Sequence, residues 1–331
     1  MSTLLLSTCI CSLVSLGLQT SLSADTLKPS QTFVQGFTLI SSNQRFEFGF
    51  FRPGNGLGGL YLGTWYHNLP LTVVWVANRN KPLRDSFGQV ALDEKGALFL
   101  FNRSMGAVWS TDKIPTMDSF TPVLQLLDTG NLVIRDDGGN RTIFWESFDF
   151  PTDTLLPNLK LGWNLDGGVN RIIRSWKSID DPSEGEYSFC LEPHEAPQLV
   201  LRSGSKKLFR RAPWDGSSFS GITSLTTNPL FQAAYIYNSV EVYFQYEMLD
   251  DSILSRFLIL PSGLIQYFTW RVNSSKEWNL LVTINSDPCD NYGKCGNYGS
   301  CYTLSSCKLF SQYHKSNTML FSFPRVGSWF S

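Results

Sequence analysis

LQLLDTGNLVIRD (124–136), FWESFDFPTDTLLP (144–157) and KLGWNLDGGVNRIIRSWKSIDDPSEGEYSF (160–189) make up the stretch whose reading decides the fold. In the first segment, leucines and β-branched residues flank a corner at Asp128, Thr129, Gly130 and Asn131. Those are residue types that enter the φ > 0 region a tight reversal needs, so the segment predicts a short strand pair. DDGGN (136–140) predicts another turn, and Ile143, Phe144 and Trp145 another strand. Pro151 and Pro157 cannot supply the amide hydrogens of a central strand. With Asp and Thr between them they predict a surface crossing and a boundary between two domains.

Upstream of that seam the chain repeats itself. Val74-Trp75, Val108-Trp109 and Phe144-Trp145 recur at intervals of 34 and 36 residues, and glycine corners at Gly96 and Gly130 precede the second and third tryptophans by 13 and 15. Units of this length cannot bury an apolar face alone, which predicts a pseudo-threefold all-β domain with the tryptophans in its core. Phe46, Phe48 and Phe50 alternate with Glu47 and Gly49 as a half-buried strand does. Downstream, Gly263 again precedes a strand and lies 15 residues before Trp278, so a second copy of the architecture is expected. Its strands are read at 185–191, 198–202, 231–237, 240–248 and 255–260, and no amphipathic helix of three turns is legible.

Composition agrees with many short strands and tight turns: 14% aromatic residues, 26 glycines and only 17% charged residues. The 27 basic and 28 acidic residues leave a formal charge of −1 with no basic block, which excludes electrostatic affinity for nucleic acid or an anionic membrane. Residues 1–24 carry an apolar run followed by small residues, Ser21, Ser23 and Ala24, and read as a secretory signal peptide. No later segment is long and apolar enough for a membrane span, so a secreted, extracellular chain is expected. Asn102, Asn140 and Asn273 open glycan acceptor triplets in expected turns. Removing Cys9 and Cys11 with the leader leaves Cys190, Cys289, Cys295, Cys301 and Cys307, an odd number, so one thiol is free or pairs between chains. Cys289, Cys295, Cys301 and Cys307 crowd among Gly, Asn and Asp, which indicates a small disulfide module; their gaps do not match zinc-ligand spacing. No metal or cofactor is called for.

WVANRNKPL (75–83), LDTGNLV (127–133), WESFDFPTDTLLP (145–157), SWK (175–177) with Asp181-Pro182, and CDNY (289–292) through Cys301 together resemble plant S-locus glycoproteins and the extracellular halves of S-receptor kinases, the G-type lectin receptor-like kinases. The resemblance implies an all-β chain of tandem bulb-lectin-like β-prism domains followed by a truncated, disulfide-rich EGF-like module. It divides the chain into signal peptide 1–24, bulb-type lectin domain 25–150, S-locus glycoprotein domain 151–285, partial EGF-like module 286–307 and an aberrant tail 308–331. It also implies that Cys289 pairs with Cys301, which leaves Cys295 without its normal partner, a place Cys307 could take. The implied function is non-catalytic recognition, as in pollen recognition, with an extracellular protein or peptide ligand and a full-length receptor kinase as partners. Without the PAN-like region of the family, self-association should be weak or absent. A truncated product without function is the bland alternative.

A mannose-binding lectin is the other alternative. Bulb lectins hold the sugar through Gln-x-Asp-x-Asn-x-Val-x-Tyr, and here those positions are Leu127, Thr129, Asn131, Val133 and Arg135. The second repeat offers Asp93, Lys95, Ala97, Phe99 and Phe101. Each hydrogen bond lost to a hydroxyl costs about 1 kcal/mol, so mannose affinity should be largely gone. An enzyme would need a working pair among Glu146, Asp149 and Asp153, as in glycoside hydrolysis. Asp149 and Asp153 read instead as turn caps beside the prolines. His67, His194 and His314 are scattered and read as turn residues, with no partnered nucleophile. Arg210, Arg211 and Trp214 are surface-patch candidates by composition alone.

Overall fold

The computed structural model describes residues 24–54, 56, 58–111, 120–138, 141–192, 197–211, 214, 230–286, 291–296, 299–302 and 306–309. The first half runs through β1 (Thr26–Leu27), β2 (Thr32–Val34), β3 (Leu39–Ile40), β4 (Phe46–Phe51), β5 (Tyr61–Tyr66), β6 (Val73–Val76), β7 (Gln89–Leu92), β8 (Leu98–Phe101), β9 (Ala107–Ser110), β10 (Pro122–Leu126), β11 (Leu132–Asp136) and β12 (Ile143–Glu146). The second runs through β13 (Thr154–Leu155), β14 (Leu161–Asn164), β15 (Val169–Arg171), β16 (Ile173–Ser178), β17 (Asp181–Glu192), β18 (Gln198–Ser203), β19 (Lys206–Arg210), β20 (Phe231–Tyr237), β21 (Glu241–Met248), β22 (Ile253–Ile259), β23 (Ile265–Arg271) and β24 (Asn279–Thr283). A hairpin of β25 (Gly299–Tyr302) and β26 (Ser306–Leu309) follows. Helix among the described residues is confined to one 3-10 turn at Ser147–Asp149.

The first half forms three four-stranded sheets, β1-β10-β11-β12, β2-β7-β8-β9 and β3-β4-β5-β6, each ending on the strand that carries a repeat tryptophan. Trp75, Trp109 and Trp145 meet edge to face at centroid separations of 6.1, 6.2 and 6.3 Å, the geometry that brings ring edges onto π faces. Trp75 and Trp145 are buried and Trp109 is half-buried, and all three border a groove. The second half repeats two of the sheet types, β13-β22-β23-β24 and β16-β17-β18-β19, but its third is β15-β14-β21-β20, two hairpins laid side by side. The aromatic core of the second half is built from Phe231, Tyr246, Phe257 and Tyr267 instead of tryptophans.

Three corners share one local structure. Gly96, Gly130 and Gly263 sit at φ +85°, +86° and +83°. Each donates its amide to the carbonyl three residues back, on Asp93, Leu127 and Leu260, at 2.9–3.0 Å. A left-handed residue is required there, which is why glycine recurs.

The seam departs from the sequence expectation of a surface crossing. Thr152, Asp153, Thr154, Leu155 and Leu156 are buried between the halves. The prolines only bracket this segment, so its amides remain available: Thr154 and Leu155 pair with Leu258 and Phe257, and Ile259 donates to the Asp153 carbonyl at 3.0 Å. One hydrophobic cluster runs through it from Leu27 to Ile284.

Candidate functional site

The sugar-motif positions lie on β11 and the corner before it, and their polar groups are committed internally. The buried Asn131 donates to Glu146 Oε2 at 2.6 Å and accepts from Ser147 Oγ and the Phe148 amide at 3.0 and 3.1 Å. Val133 is fully buried. Arg135 donates from Nε to Gln125 Oε1 at 2.7 Å and pairs with Asp137 at 3.4 Å, while Gln125 reaches Asp25 at 2.9 Å. Leu127 and Thr129 are half-buried at the corner. In the second repeat, Asp93 accepts from the Lys95 and Ala97 amides and so closes its own turn, and Phe99 stacks on Phe101. Neither face presents the set of amide and carboxylate groups that would grip a sugar hydroxyl.

The three carboxylates near the seam are structural. Burial pushes the Glu146 carboxyl up, with the Asn131 hydrogen bond opposing and the Asp149 charge adding to the rise. Asp149 caps no turn; it accepts from the buried Arg171 guanidinium at 2.7 Å, a pair that ties the 3-10 turn to β15. Asp153 is pushed up to about 6 by burial, against the pull of the Arg79 and Arg256 guanidinium groups. Its Oδ1 accepts from Thr154 Oγ1 at 3.1 Å. His67 is half-buried and 2.9 Å from Glu47 Oε2 rather than free in a turn; His194 and His314 lie outside the described residues. Among the described residues no group of three metal-ligating side chains gathers.

WVANR works as a clamp between the halves, a role the residue pattern did not reveal. Asn78 accepts from the Leu62 amide at 2.8 Å and donates to the Lys81 carbonyl at 3.0 Å, which fixes the turn. The buried Arg79 then reaches across, donating to the carbonyls of Pro182, Ser175 and Arg174 at 2.9, 2.9 and 3.1 Å. Asn80 and Glu184 exchange two hydrogen bonds beside it. On another side Tyr66 donates to the Ser255 carbonyl at 3.0 Å and packs on Trp278, whose indole donates to Thr72 at 3.0 Å. An arginine between two asparagines just after an apolar strand was the available signal, since such a side chain is rarely buried without carbonyl or carboxylate partners.

Above the clamp, between the tryptophan strands of the first half and β15–β16 of the second, lies a groove of about 820 Å3. Trp109, Trp145 and Phe150 give it aromatic walls, and Asn170, Arg174 and Glu184 give it polar ones. Arg210, Arg211 and Trp214 are elsewhere; Arg210 covers Tyr292 at 5.3 Å and Arg211 donates to the Ile284 carbonyl.

Asn273 is exposed in a turn at φ +68°, whereas Asn102 is half-buried and its Oδ1 accepts from the amides of Ser104 and Gly106. Asn140 lies outside the described residues. Cys295 is bridged to Cys307, and Cys190 is a buried free thiol pushed up by burial and by Glu192. The expected Cys289–Cys301 pair falls on side chains outside the described residues. Tyr292 docks this module by donating its amide to the Leu208 carbonyl at 2.6 Å. No helix among the described residues is long and apolar enough to cross a membrane.

Comparison with known proteins adds two family matches: a D-mannose binding lectin over residues 72–177 and an S-locus glycoprotein domain over 209–315. Receptor-like serine/threonine-protein kinase SD1-8 of Arabidopsis thaliana is 40% identical over 82% of the chain, which spans 32% of that kinase. S-locus-specific glycoprotein S6 of Brassica oleracea is 40% identical over 77% of the chain, which spans 59% of that protein. Among solved structures, a monomeric mannose-binding lectin from Gastrodia elata aligns at 18% identity over 38% of the chain and 96% of its own, with a TM-score of 0.29. Neither matched family domain is a catalytic domain.

Proposed function

Because the chain belongs to the family of S-locus glycoproteins and G-type lectin S-receptor kinases, we propose that it is a secreted, non-catalytic recognition glycoprotein. Its partner class is an extracellular protein or peptide, with a full-length receptor of the same family as a second partner. The observation that carries this reading is the state of the lectin face. The fold of a sugar-binding domain is kept while Asn131 and Arg135 spend their polar groups on neighbours. The carboxylates that could serve hydrolysis are likewise tied, Asp149 to Arg171 and Glu146 to Asn131. The leader and the acceptor sites Asn102, Asn140 and Asn273 belong to the same proposal, as do the domain limits 25–150, 151–285 and 286–307.

Expression in a plant secretory host tests it. The expected result is protein in the medium whose mass falls on deglycosylation, which passes through mannose-agarose, leaves a glycoside panel intact, and co-precipitates with a family receptor kinase from plant cells. Retention on mannose-agarose with elution by free mannose would favour the lectin alternative. Glycoside cleavage abolished by Glu146→Gln would overturn the non-enzyme reading.

A further inference from the structure

The groove between the halves has a feature that neither the lectin nor the S-locus glycoprotein reading uses: one of its walls is a strand edge that no described strand covers. β6 and β9 are terminal strands of their sheets; the β6 edge is already engaged at Val74, whose carbonyl accepts from Thr152 Oγ1 at 3.3 Å. The Ala77 amide donates to the Leu62 carbonyl and the Thr111 amide to the Leu98 carbonyl, so those residues face inward to the neighbouring strand. Backbone groups along an antiparallel strand alternate in direction, so the amide and carbonyl of Val76 and of Ser110 face the opposite way. Both residues line the groove. No described strand pairs with either edge.

The remaining walls suit a main chain with an apolar side chain. Phe150 is 44% exposed, stacks on Trp145 at 6.0 Å, and has its carbonyl fixed by the Trp75 indole at 2.8 Å. The ring is therefore held in place while one face stays open. Asn170 lines the groove with a buried Oδ1 that has no hydrogen-bond partner, an acceptor waiting for a donor. Of the charged lining residues, Arg174 and Glu184 pair with each other at 3.5 Å, Asp149 pairs with Arg171 and Arg79 is spent on carbonyls, while Lys81 is exposed at the rim. We propose that this groove binds an extended peptide segment by strand addition along β9, with an aromatic or aliphatic side chain seated on Trp109 and Phe150 and a peptide amide donated to Asn170. An extended chain advances ~3.3 Å per residue, so the wall formed by residues 107–111 accommodates a segment of about five residues. The inference rests on the recognition reading above and gives it a site.

The test uses the full secreted glycoprotein, immobilised and panned with a phage-displayed random-peptide library, with a glycan array run in parallel. The expected result is enriched peptides sharing one aromatic or aliphatic position. Their affinity should fall about three- to tenfold in Ser110→Pro, which deletes the outward amide and leaves the inward Thr111 amide in place, and by a similar factor in Phe150→Ala and Asn170→Ala. Thr129→Ala, on the sugar-motif face, should change nothing. Thermal melts of each variant separate loss of binding from loss of fold, and Phe150 is exposed enough for its truncation to be tolerated. Failure of any peptide to enrich over an unrelated secreted protein would overturn the proposal. So would equal binding to wild type and Ser110→Pro, or array glycans that bind and are lost in Phe150→Ala. Co-precipitation of a receptor kinase by all three groove variants would overturn the groove while leaving the recognition reading standing.

Discussion

The two halves solve the same packing problem with different chemistry. The first closes three sheets on three tryptophans from equivalent strands, Trp75, Trp109 and Trp145, in one edge-to-face ring. The second keeps two of the sheet types and the Gly263 corner but fills its centre with Phe231, Tyr246, Phe257 and Tyr267. Tyrosines bring hydroxyls that need partners. Tyr246 finds the Leu155 carbonyl at 3.2 Å, and burial raises its pKa well above the ordinary range. The threefold pattern is thus relaxed in the half that must also receive Tyr66, Arg79 and Asp153 at the junction. Symmetry survives where equivalent strands supply the same tryptophan and gives way where the centre is built from tyrosines whose hydroxyls must be paired.

The sharpest way to break this contrast is Trp75→Ala. It removes a buried ring that contacts both other tryptophans and releases Phe150, so a loss of about 3–5 kcal/mol is expected in denaturant unfolding. Tyr246→Phe, its counterpart in the second half, removes one hydroxyl and should cost only about 1 kcal/mol. Similar losses for the two would mean that the ring of tryptophans carries no special share of the first half's stability.

Next in size is Arg79→Ala. Three carbonyls lose a charge-assisted donor and Asp153 loses a compensating charge, so about 3 kcal/mol should go. Because those contacts cross the junction, calorimetry should split one unfolding transition into two. Arg79→Lys should recover little, since one ammonium cannot reproduce the fork of donors. A single transition, shifted but unsplit, would show that the apolar cluster alone couples the halves.

How much of this was legible in sequence follows from the same contrast. The first half was readable because its three units carry a Trp at nearly fixed intervals and the second and third repeat a glycine corner, which the structure realises at Gly96 and Gly130 with one φ and one hydrogen bond. β17 was read from Gly185 but begins at Asp181, because the bulges opposite Trp176 and Ser178 let the strand start earlier than its apolar alternation does. The seam was misread because two prolines outweighed the Thr-Asp-Thr-Leu-Leu run between them. The Asn-Arg-Asn run hinted that Arg79 is buried but not what it clamps, because its partners are main-chain carbonyls about a hundred residues away and carbonyls carry no residue identity. The groove was out of reach for a related reason: a free strand edge is a property of sheet order.

A pH titration sharpens the comparison at the seam. The Asp153 carboxyl rises from an ordinary 3.8 to about 6 on folding, so the folded chain binds the proton more tightly than the unfolded one. Its contribution to stability is therefore full below about pH 4 and is lost as the pH climbs through 6, a change on the order of 2–3 kcal/mol. Asp153→Asn should flatten that part of the stability–pH curve, and a curve unchanged by the substitution would show the carboxyl to be ordinary in solution.

The smallest expected effect concerns the lectin face, where Leu127→Gln, Thr129→Asp and Arg135→Tyr together would rewrite the five-position sugar motif. Removing the Arg135 ties to Gln125 and Asp137 should cost about 1 kcal/mol, because both are partly solvated. Mannose affinity should nonetheless stay absent on mannose-agarose. The Asn131 amide still donates to Glu146 and its carbonyl oxygen still accepts from Ser147 and Phe148, so a sugar hydroxyl would have to displace bonds of equal strength. Retention of the triple variant, eluted by free mannose, would show that the side chains at 127, 129 and 135 alone closed the site. Retention only after Glu146→Ala is added, which removes the acceptor of the Asn131 amide, would place the lock at Asn131, where the first half's lectin face meets the turn that leads into the second half.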